Sequence, residues 1–214
     1  MQDATPVAPS PTTVHAETLT FAQTRSLIRS DFLRLVTWYG GGSLSRRIYW
    51  FFQPNYLALF FYRLYHYLFV NGWNNLARVL FLFSLYLTGV EISPTTSIGD
   101  SCLIAHAVGV VLFGRLGSRV SLLGQCGTGG GVGAKLKDIG GGSGYPVVGD
   151  DVVFGIKAMV IGPIRIGNRA KLGPAACVTH DVPDDAKIMA IPSRVIKVRM
   201  GAPRPPDDGE SIEV

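Results

Sequence analysis

The chain has 214 residues, 47% of them hydrophobic, which is enough for one large domain or a smaller domain with an extension. Its formal net charge of +5 and pI of about 9.2 favour anionic partners, such as a phosphate-bearing cofactor or an acidic membrane surface. The basic residues are scattered, which argues against a nucleic-acid partner. Three cysteines are too few for a disulfide framework, and no CxxC or HxxxH spacing predicts a metal site.

Both ends of the sequence have a composition typical of disorder. Residues 1–16 are proline-rich and lack the basic start and apolar run of a signal peptide, so we expect a disordered N-terminus without a targeting segment. Residues 199–214 are rich in proline and acidic side chains, and we expect a disordered tail there.

Residues 17–87 are expected to form an α-helical region rich in aromatic side chains. Within it, residues 24–38 place Ile28 and Phe32 at helical spacing, with arginine and aspartate on the other side, which predicts an amphipathic helix. Three consecutive glycines from Gly40 predict the end of that helix.

The rest of this region is unusually apolar. An aromatic stretch covers residues 46–70 and a second apolar run covers residues 76–90. The first is broken by polar residues and proline at 53–55 and the second is too short, so neither predicts a transmembrane span. Two interpretations remain open: the aromatics pack against the rest of the protein and neighbouring subunits, or the helices lie in a membrane interface. In the second case the protein is cytoplasmic and peripheral on the inner face of the membrane. The arginines near lipid headgroups are then Arg46, Arg47, Arg63 and Arg78.

A hydrophobic residue recurs every sixth position through much of residues 88–198. The positions are Ile92, Ile98, Ile104, Val110, Leu116 and Leu122, followed after an interruption by Val148, Phe154, Val160, Ile166, Leu172 and Val178. This period matches neither an α-helix nor an alternating strand, and it is typical of a parallel β-helix whose three sides each take one repeat. Two blocks of six repeats predict about four coils.

An insertion rich in glycine separates the two blocks. Residues 128–146 contain eight glycines and interrupt the repeat. The phosphate-loop pattern GxxxxGK[ST] fails, because Lys135 is followed by leucine. A long loop within a regular repeat is usually functional, so we expect a flap at one edge of the β-helix.

One pair of residues has the chemistry of a general base. If residues eighteen apart stack on adjacent coils and the register extends back to residue 86, His106 and Glu91 share a face, on strands about 4.8 Å apart. A carboxylate beside an imidazole fixes its tautomer and raises its basicity, as deprotonation of a hydroxyl requires. A surface histidine with an unrelated glutamate is the alternative.

The repeat resembles the left-handed β-helix of hexapeptide acyltransferases, so the predicted fold is mainly β, a left-handed parallel β-helix with an N-terminal α-helical region. Residues 89–94 (GVEISP) and 104–111 (IAHAVGVV) are similar to G-[IV]-D-I-H-P and L-D-H-A-T-G-[IV]-V of the serine acetyltransferase family, and residues 171–195 resemble the family's final coil. The resemblance is good over the β-helix and loose over the helical region. It implies that His106 is the catalytic base and that Glu91 orients it.

The sequence departs from the family at two places. Ala105 stands where the family has aspartate, and Gly144-Tyr145-Pro146 stands where it has Arg-His-Pro. In the family these polar groups recognise the amino-acid acceptor, and without them a zwitterion is buried with its charges unpaired. A neutral polyol such as a sugar is therefore the expected acceptor. Tyr145 would then contact it, with packing at the base of the flap as the alternative.

The resemblance also implies acetyl-CoA as the donor, with no metal. The cofactor-binding residues that it implies are Gly129 and Gly130 near the flap, Gly155 and Ala158 in a turn, and Lys171, Arg194 and Lys197 near the nucleotide phosphates. A solvated surface charge is the alternative for each of the basic residues.

We therefore predict an acetyl-CoA-dependent O-acetyltransferase of a sugar or polysaccharide intermediate, of the type found in exopolysaccharide biosynthesis, active as a homotrimer. The acceptor hydroxyl would attack the thioester directly. The alternatives are a serine O-acetyltransferase with an altered acceptor site, a nucleotide-sugar N-acetyltransferase, and a trimeric scaffold without activity.

Overall fold

The computed structural model describes residues 18–130 and 137–191. Its helices are α1 Phe21–Trp38, α2 Leu44–Phe51, α3 Pro54–Val70 and α4 Asn74–Thr88. None of these described helices is long and apolar enough to cross a bilayer. The expected disordered ends at 1–16 and 199–214 lie outside the described residues.

The first helix begins three residues before the predicted start at residue 24, because a capping box closes its N-terminus. The Thr20 hydroxyl accepts a hydrogen bond from the Gln23 amide, and the Gln23 side chain accepts one from the Thr20 amide. Two backbone donors that the helix itself leaves unpaired are thereby satisfied. The last helix ends at Gly89, whose φ of 69° is a left-handed conformation that glycine adopts without strain.

Very short parallel strands make up the rest of the described chain. They are β1 Glu91–Ile92, β2 Ser97–Ile98, β3 Leu103–Ile104, β4 Val111–Leu112, β5 Arg115–Leu116, β6 Ser121–Leu122, β7 Gly127–Gly129, β8 Val147–Val148, β9 Val153–Phe154, β10 Met159–Ile161, β11 Arg165–Ile166, β12 Lys171–Leu172, β13 Cys177–Val178 and β14 Lys187–Ile188.

These strands form three parallel sheets around one core. Sheet 1 is β1-β4-β7-β10-β13, sheet 2 is β2-β5-β8-β11, and sheet 3 is β3-β6-β9-β12-β14. Successive strands along the chain therefore fall in different sheets, so the backbone winds as a three-sided coil. The predicted parallel β-helix with an N-terminal helical region is confirmed.

The β-helix has nearly five coils, compared with the predicted four. The hydrophobic six-residue pattern does not predict β7, because the inward residue of this strand is Thr128, a polar side chain between two glycines. Thr128 is fully buried, and its hydroxyl donates to the Phe113 carbonyl and accepts from the Phe113 amide, which satisfies it inside the core. The insertion consequently begins after Gly129 rather than at Thr128. The repeat also missed β14.

The register differs from the predicted one at one corner. Ile92 pairs with Leu112, twenty residues on, whereas Ile98 pairs with Leu116, eighteen residues on. The corner between β3 and β4 is therefore two residues longer than expected. As a result Leu112, and not Val110, takes the inward position of β4, although Val110 is also buried.

A buried ion pair joins the helical region to the first coil. The Arg63 guanidinium of α3 donates to the Asp31 carboxylate of α1 at 2.9 and 3.2 Å, and to the carbonyls of Ile98 and Gly99 at 2.6 Å each. Asp31 in turn accepts from the Cys102 amide at 2.8 Å. Burial raises the pKa of the Asp31 carboxyl, and the neighbouring Arg63 charge opposes that rise.

Tyrosines of α3 extend this joint across the end of the β-helix. Tyr62 donates its hydroxyl to the Thr96 carbonyl and Tyr65 donates to the Ile92 carbonyl, each at 2.7 Å, and both side chains are buried. Polar backbone at the first coil is therefore hydrogen-bonded to side chains instead of water, so the helical region closes this end of the core.

Candidate functional site

His106 lies on an edge of the β-helix where the corners between sheets 3 and 1 stack. Its ring is exposed, and Gly124 lies against it on the next coil. A Cβ atom on Gly124 would come within 2.9 Å of the His106 Cβ, so glycine is needed there. The corners of the following coils stack on this one: the Lys157 amide donates to the Gly124 carbonyl, and the Ala175 amide donates to the Ile156 carbonyl. The predicted base and the predicted turn at 155–158 therefore share one edge.

The helical region holds the backbone immediately before His106. The Asn55 side-chain amide donates to the carbonyls of Ile104 at 3.0 Å and Ala105 at 3.2 Å, and the Tyr39 hydroxyl donates to the Ala105 carbonyl at 3.1 Å. Asn55 is buried, so these bonds are shielded from water. We name these three hydrogen bonds the carbonyl clamp.

The carbonyl clamp was not anticipated from the sequence, where residues 53–55 stood only as an interruption of an aromatic stretch. A usable signal was nevertheless present. Asn55 is a polar residue in the first turn of a mostly apolar helix, and a buried amide needs partners. The Tyr39 ring is itself fixed, because it stacks on Trp50 with ring centroids 4.1 Å apart.

Glu91 lies on β1 with its side chain on the outer face of sheet 1, half-buried, and pairs with Val111. The expected register does not extend back to residue 86, because α4 occupies the chain as far as Thr88. Glu91 is nevertheless on the strand beside the one that follows His106. In the described residues the two side chains do not hydrogen-bond or form an ion pair with each other, and the dyad stays a prediction.

Tyr145 closes the base of the insertion. Its ring stacks on Phe113 with centroids 5.3 Å apart and an interplanar angle of 10°, and a Cβ atom on Gly130 would lie 3.1 Å from the same ring. One face of Tyr145 is therefore used for packing, as the alternative interpretation expected. Phe113, the partner in this stack, is a residue that the sequence did not single out.

The predicted cofactor residues differ in accessibility. A Cβ atom on Gly129 would meet no atom within 4 Å, so the backbone there borders open space. Gly155 and Ala158 are buried. The Ala158 amide donates a hydrogen bond to the Gly155 carbonyl, and the Ala158 carbonyl accepts one from the Gly127 amide. The exposed part of their turn is Ile156–Lys157.

The basic residues expected near the phosphates are only partly visible. Lys171 is exposed on β12 and pairs in register with Lys187, which is also exposed, so the two lysines occupy neighbouring positions on sheet 3. Arg194 and Lys197 lie outside the described residues. In the part of the chain that the structure covers, no cluster of three or more His, Cys, Asp or Glu could hold a metal ion.

The segments around the site carry very little charge. Residues 104–113, 123–130 and 143–146 contain no Asp, Glu, Lys or Arg, and His106 is their only histidine. The exposed Lys157 of the 155–158 turn stands on the same edge as His106. Glu91, on the neighbouring strand, supplies a carboxylate beside them. The arrangement suits proton transfer to or from a hydroxyl and offers few groups for a charged substrate.

Comparison with known proteins points to one family. No protein-family model matches the chain. A serine acetyltransferase of Mycobacterium tuberculosis is 36% identical over 160 residues, which cover 74% of this chain and 67% of that protein. One from Bacillus subtilis is 34% identical over 141 residues, covering 65% of this chain and 62% of that protein. The structure of soybean serine acetyltransferase complexed with serine superimposes with a TM-score of 0.67 at 29% identity, covering 81% of this chain and 69% of that one.

Proposed function

Because the chain belongs to the serine acetyltransferase family, and is thus an acyltransferase, we propose that it transfers an acetyl group from acetyl-CoA to a hydroxyl group with His106 as general base. The chain spans less than two thirds of the B. subtilis relative, so the acceptor is proposed from this chain's own site. The position of His106 carries the proposal. It is exposed, it stands on the edge that also bears the exposed residues Ile156 and Lys157, and the main chain before it is fixed by the carbonyl clamp.

In the proposed reaction, the imidazole of His106 takes the proton of the acceptor hydroxyl as the oxygen attacks the thioester carbonyl. The new C–O bond forms, the C–S bond breaks, and the proton passes from the imidazolium to the departing CoA sulfur. Glu91 stabilises the imidazolium and selects the tautomer that accepts the proton. Neither step requires a metal or an acyl-enzyme intermediate.

Several features of the described residues fit acetyl-CoA. The space beside Gly129 leaves room for an extended chain, and Ile156 offers an apolar contact on the same edge as His106. Lys171 and Lys187 stand opposite each other on neighbouring strands, an arrangement that is unfavourable without an anion between them. We assign them to the phosphates of the donor.

Serine is the acceptor that the relatives' names favour, so the first candidate is serine O-acetylation. No comparison favours the exopolysaccharide type or an amino-sugar acceptor. One observation favours a neutral hydroxyl acceptor, such as a sugar, as the second candidate. Residues 104–113, which include His106, carry no Asp, Glu, Lys or Arg, and the position before His106 is Ala105. A charge left unpaired there weakens binding strongly.

Release of CoA from acetyl-CoA, followed with a thiol reagent, separates these candidates when serine, glucose and glucosamine are offered one at a time. His106→Ala should lower kcat/KM by about 100-fold or more, whereas His180→Ala, an exposed histidine on another coil, should not. Equal activity of the His106 variant and the parent contradicts the assignment of the base.

The acceptor itself is tested by restoring the family's aspartate. Ala105→Asp should raise kcat/KM for serine if serine is the substrate, because the carboxylate pairs with the ammonium group. The same change should lower activity toward a neutral sugar, because it places an unpaired charge beside it. Mass spectrometry of the product then distinguishes an O-acetyl from an N-acetyl group.

We also propose that the active form is a homotrimer, because His106 and the stacked corners lie on an outer edge that a neighbouring β-helix would cover. Light scattering should then give a mass of about 70 kDa, three times the 23.1 kDa of one chain. A fully active monomer contradicts the proposal.

A further inference from the structure

The described part of the helical region carries positive charge with no exposed acidic residue to balance it. From Phe32 to Val90 the sequence contains no Asp or Glu, and Asp31 is buried against Arg63. Arg46, Arg47 and Arg78 are exposed, and none of them forms an ion pair with another described residue. These charges therefore have no acidic partner within the described part of the chain.

The same helices expose large apolar side chains. On α2 they are Leu44, Ile48 and Tyr49, with Phe52 just after it, and on α4 they are Leu76, Val79, Leu82, Phe83, Tyr86 and Leu87, with Trp73 just before it. The exposure is extensive: Leu44 is 75% exposed, Val79 65% and Tyr86 87%. Exposed apolar groups of this extent mark an interaction site. We call these residues the apolar surface.

A row of aromatic rings connects the two halves of the apolar surface. Phe52 contacts Phe51 on α2, Phe51 contacts Phe60 on α3, Phe60 contacts its neighbour Phe61, and Phe61 contacts Phe83 on α4. Each step joins ring centroids 5.3 to 5.7 Å apart. The exposed residues of α2 and α4 therefore border one row of contacting, half-buried rings.

We propose that the apolar surface docks on an anionic lipid bilayer. The apolar side chains would enter the boundary between headgroups and acyl chains, while Arg46, Arg47 and Arg78 pair with headgroup phosphates. Docking in the plane of the membrane agrees with the helices, since none of those described can span a bilayer.

Charge favours lipid over a second copy of the chain. If two copies met through this surface, their arginines would approach one another, and the described helical residues would offer no exposed carboxylate to pair with them. An anionic bilayer supplies opposite charge along its whole face and apolar volume beneath it. This inference does not depend on the proposed acetyl transfer, and it holds for either candidate acceptor.

Flotation of the full chain with phosphatidylcholine vesicles, with and without phosphatidylglycerol, tests the proposal. The protein should float with the anionic vesicles, and high salt should release it only in part, because apolar contacts are not screened. Arg46→Gln/Arg47→Gln should reduce binding to anionic vesicles by about tenfold or more. Val79→Ser/Tyr86→Ser should reduce it to a similar degree.

Matched controls remove the same groups from the β-helix. Arg115→Gln/Lys137→Gln takes away two exposed charges and Met189→Ser takes away one exposed apolar side chain, and neither should change flotation. Circular dichroism verifies that each variant is folded. If the serine variant does not fold, the arginine variant, which changes only exposed groups, decides the result.

Two outcomes overturn the proposal. The first is a parent protein that ignores anionic vesicles. If Val79→Ser/Tyr86→Ser then lowers the mass in light scattering, the apolar surface is a contact between copies. The second is flotation that survives both double variants, which places lipid binding elsewhere on the chain.

Discussion

The helical region and the β-helix use charged side chains in opposite ways. Residues 18–90 contain seven arginines and one acidic residue, and that acid is buried in an ion pair. In the β-helix, by contrast, arginines on the corners pair with aspartates of adjacent coils: Arg119 with Asp151, and Arg169 with Asp185, each through two hydrogen bonds of 2.8 Å or less. Two arginines of the β-helix are thus paired within the protein, whereas the described helical region presents most of its charges to its surroundings.

This difference separates two roles that one chain combines. The corner pairs link successive coils, but they are exposed, and exposed ion pairs contribute little to stability. Changing one of them should therefore lower the free energy of unfolding only slightly. The single balanced pair of the helical region has a different task, because it joins that region to the first coil. The following variants test whether that joint and the carbonyl clamp act as the structure indicates.

The largest effect is expected at the buried joint. Arg63→Ala should lower the free energy of unfolding by about 3–5 kcal/mol, because it leaves the Asp31 carboxylate buried without a counter-charge. Asp31→Asn/Arg63→Met removes both charges and should cost less than the sum of the two single changes. Urea unfolding followed by circular dichroism measures both. As a control, Arg169→Gln on an exposed corner should leave the unfolding midpoint almost unchanged. If Arg169→Gln lowered the free energy of unfolding as much as Arg63→Ala, the contrast between the two regions would be wrong.

An intermediate effect is expected at the carbonyl clamp. Asn55→Asp keeps the shape of the side chain but removes the donor, so His106 should be held less firmly and kcat should fall about tenfold, with little change in KM for acetyl-CoA. Asn71→Asp is the matched control. Asn71 also donates to two carbonyls, but these belong to Leu19 and Tyr67 within the helical region and not to the β-helix. Equal losses of activity in the two variants would show that Asn55 is merely structural.

The smallest effect concerns His66. Its Nδ1 atom donates to the Pro94 carbonyl at 2.9 Å, and burial lowers its pKa below the ordinary 6.5. The unfolded chain therefore binds a proton at a higher pH than the folded one, so stability should be complete above about pH 6.5 and fall as the pH decreases below it. Thermal unfolding between pH 7.5 and 5.5 measures this slope, and His66→Gln should flatten it. An unchanged slope in the variant would assign the effect to other groups.

Structural features that depend on residues close together in the sequence could be predicted. Features that depend on contacts between residues far apart in the sequence could not. Ile104 and Phe154 were placed inside the core because six-residue spacing is a local property. The shift from Val110 to Leu112 was invisible, since both residues are apolar and either satisfies the pattern. Thr128 was missed because its polar side chain is satisfied only by Phe113, fifteen residues away.

The candidate site shows the same division. Its histidine and glutamate could be singled out by residue type and by resemblance, but the groups that position them could not. Asn55 meets Ile104 across 49 residues of sequence, and Tyr145 meets Phe113 only after the insertion returns to the β-helix. Neither contact produces a periodic signal that sequence inspection can detect.

The unequal corners of the β-helix have a consequence for how such a chain can change over evolution. Paired inward residues are twenty apart at Ile92 and Leu112, thirty-two apart at Leu122 and Phe154, and sixteen apart at Leu172 and Ile188, yet each pair lies in register. Added or deleted residues are therefore absorbed at a corner, and the next strand restores the register. Insertions can remodel the edge that carries His106 while the hydrophobic interior stays the same, so new acceptor specificities can arise without a new fold.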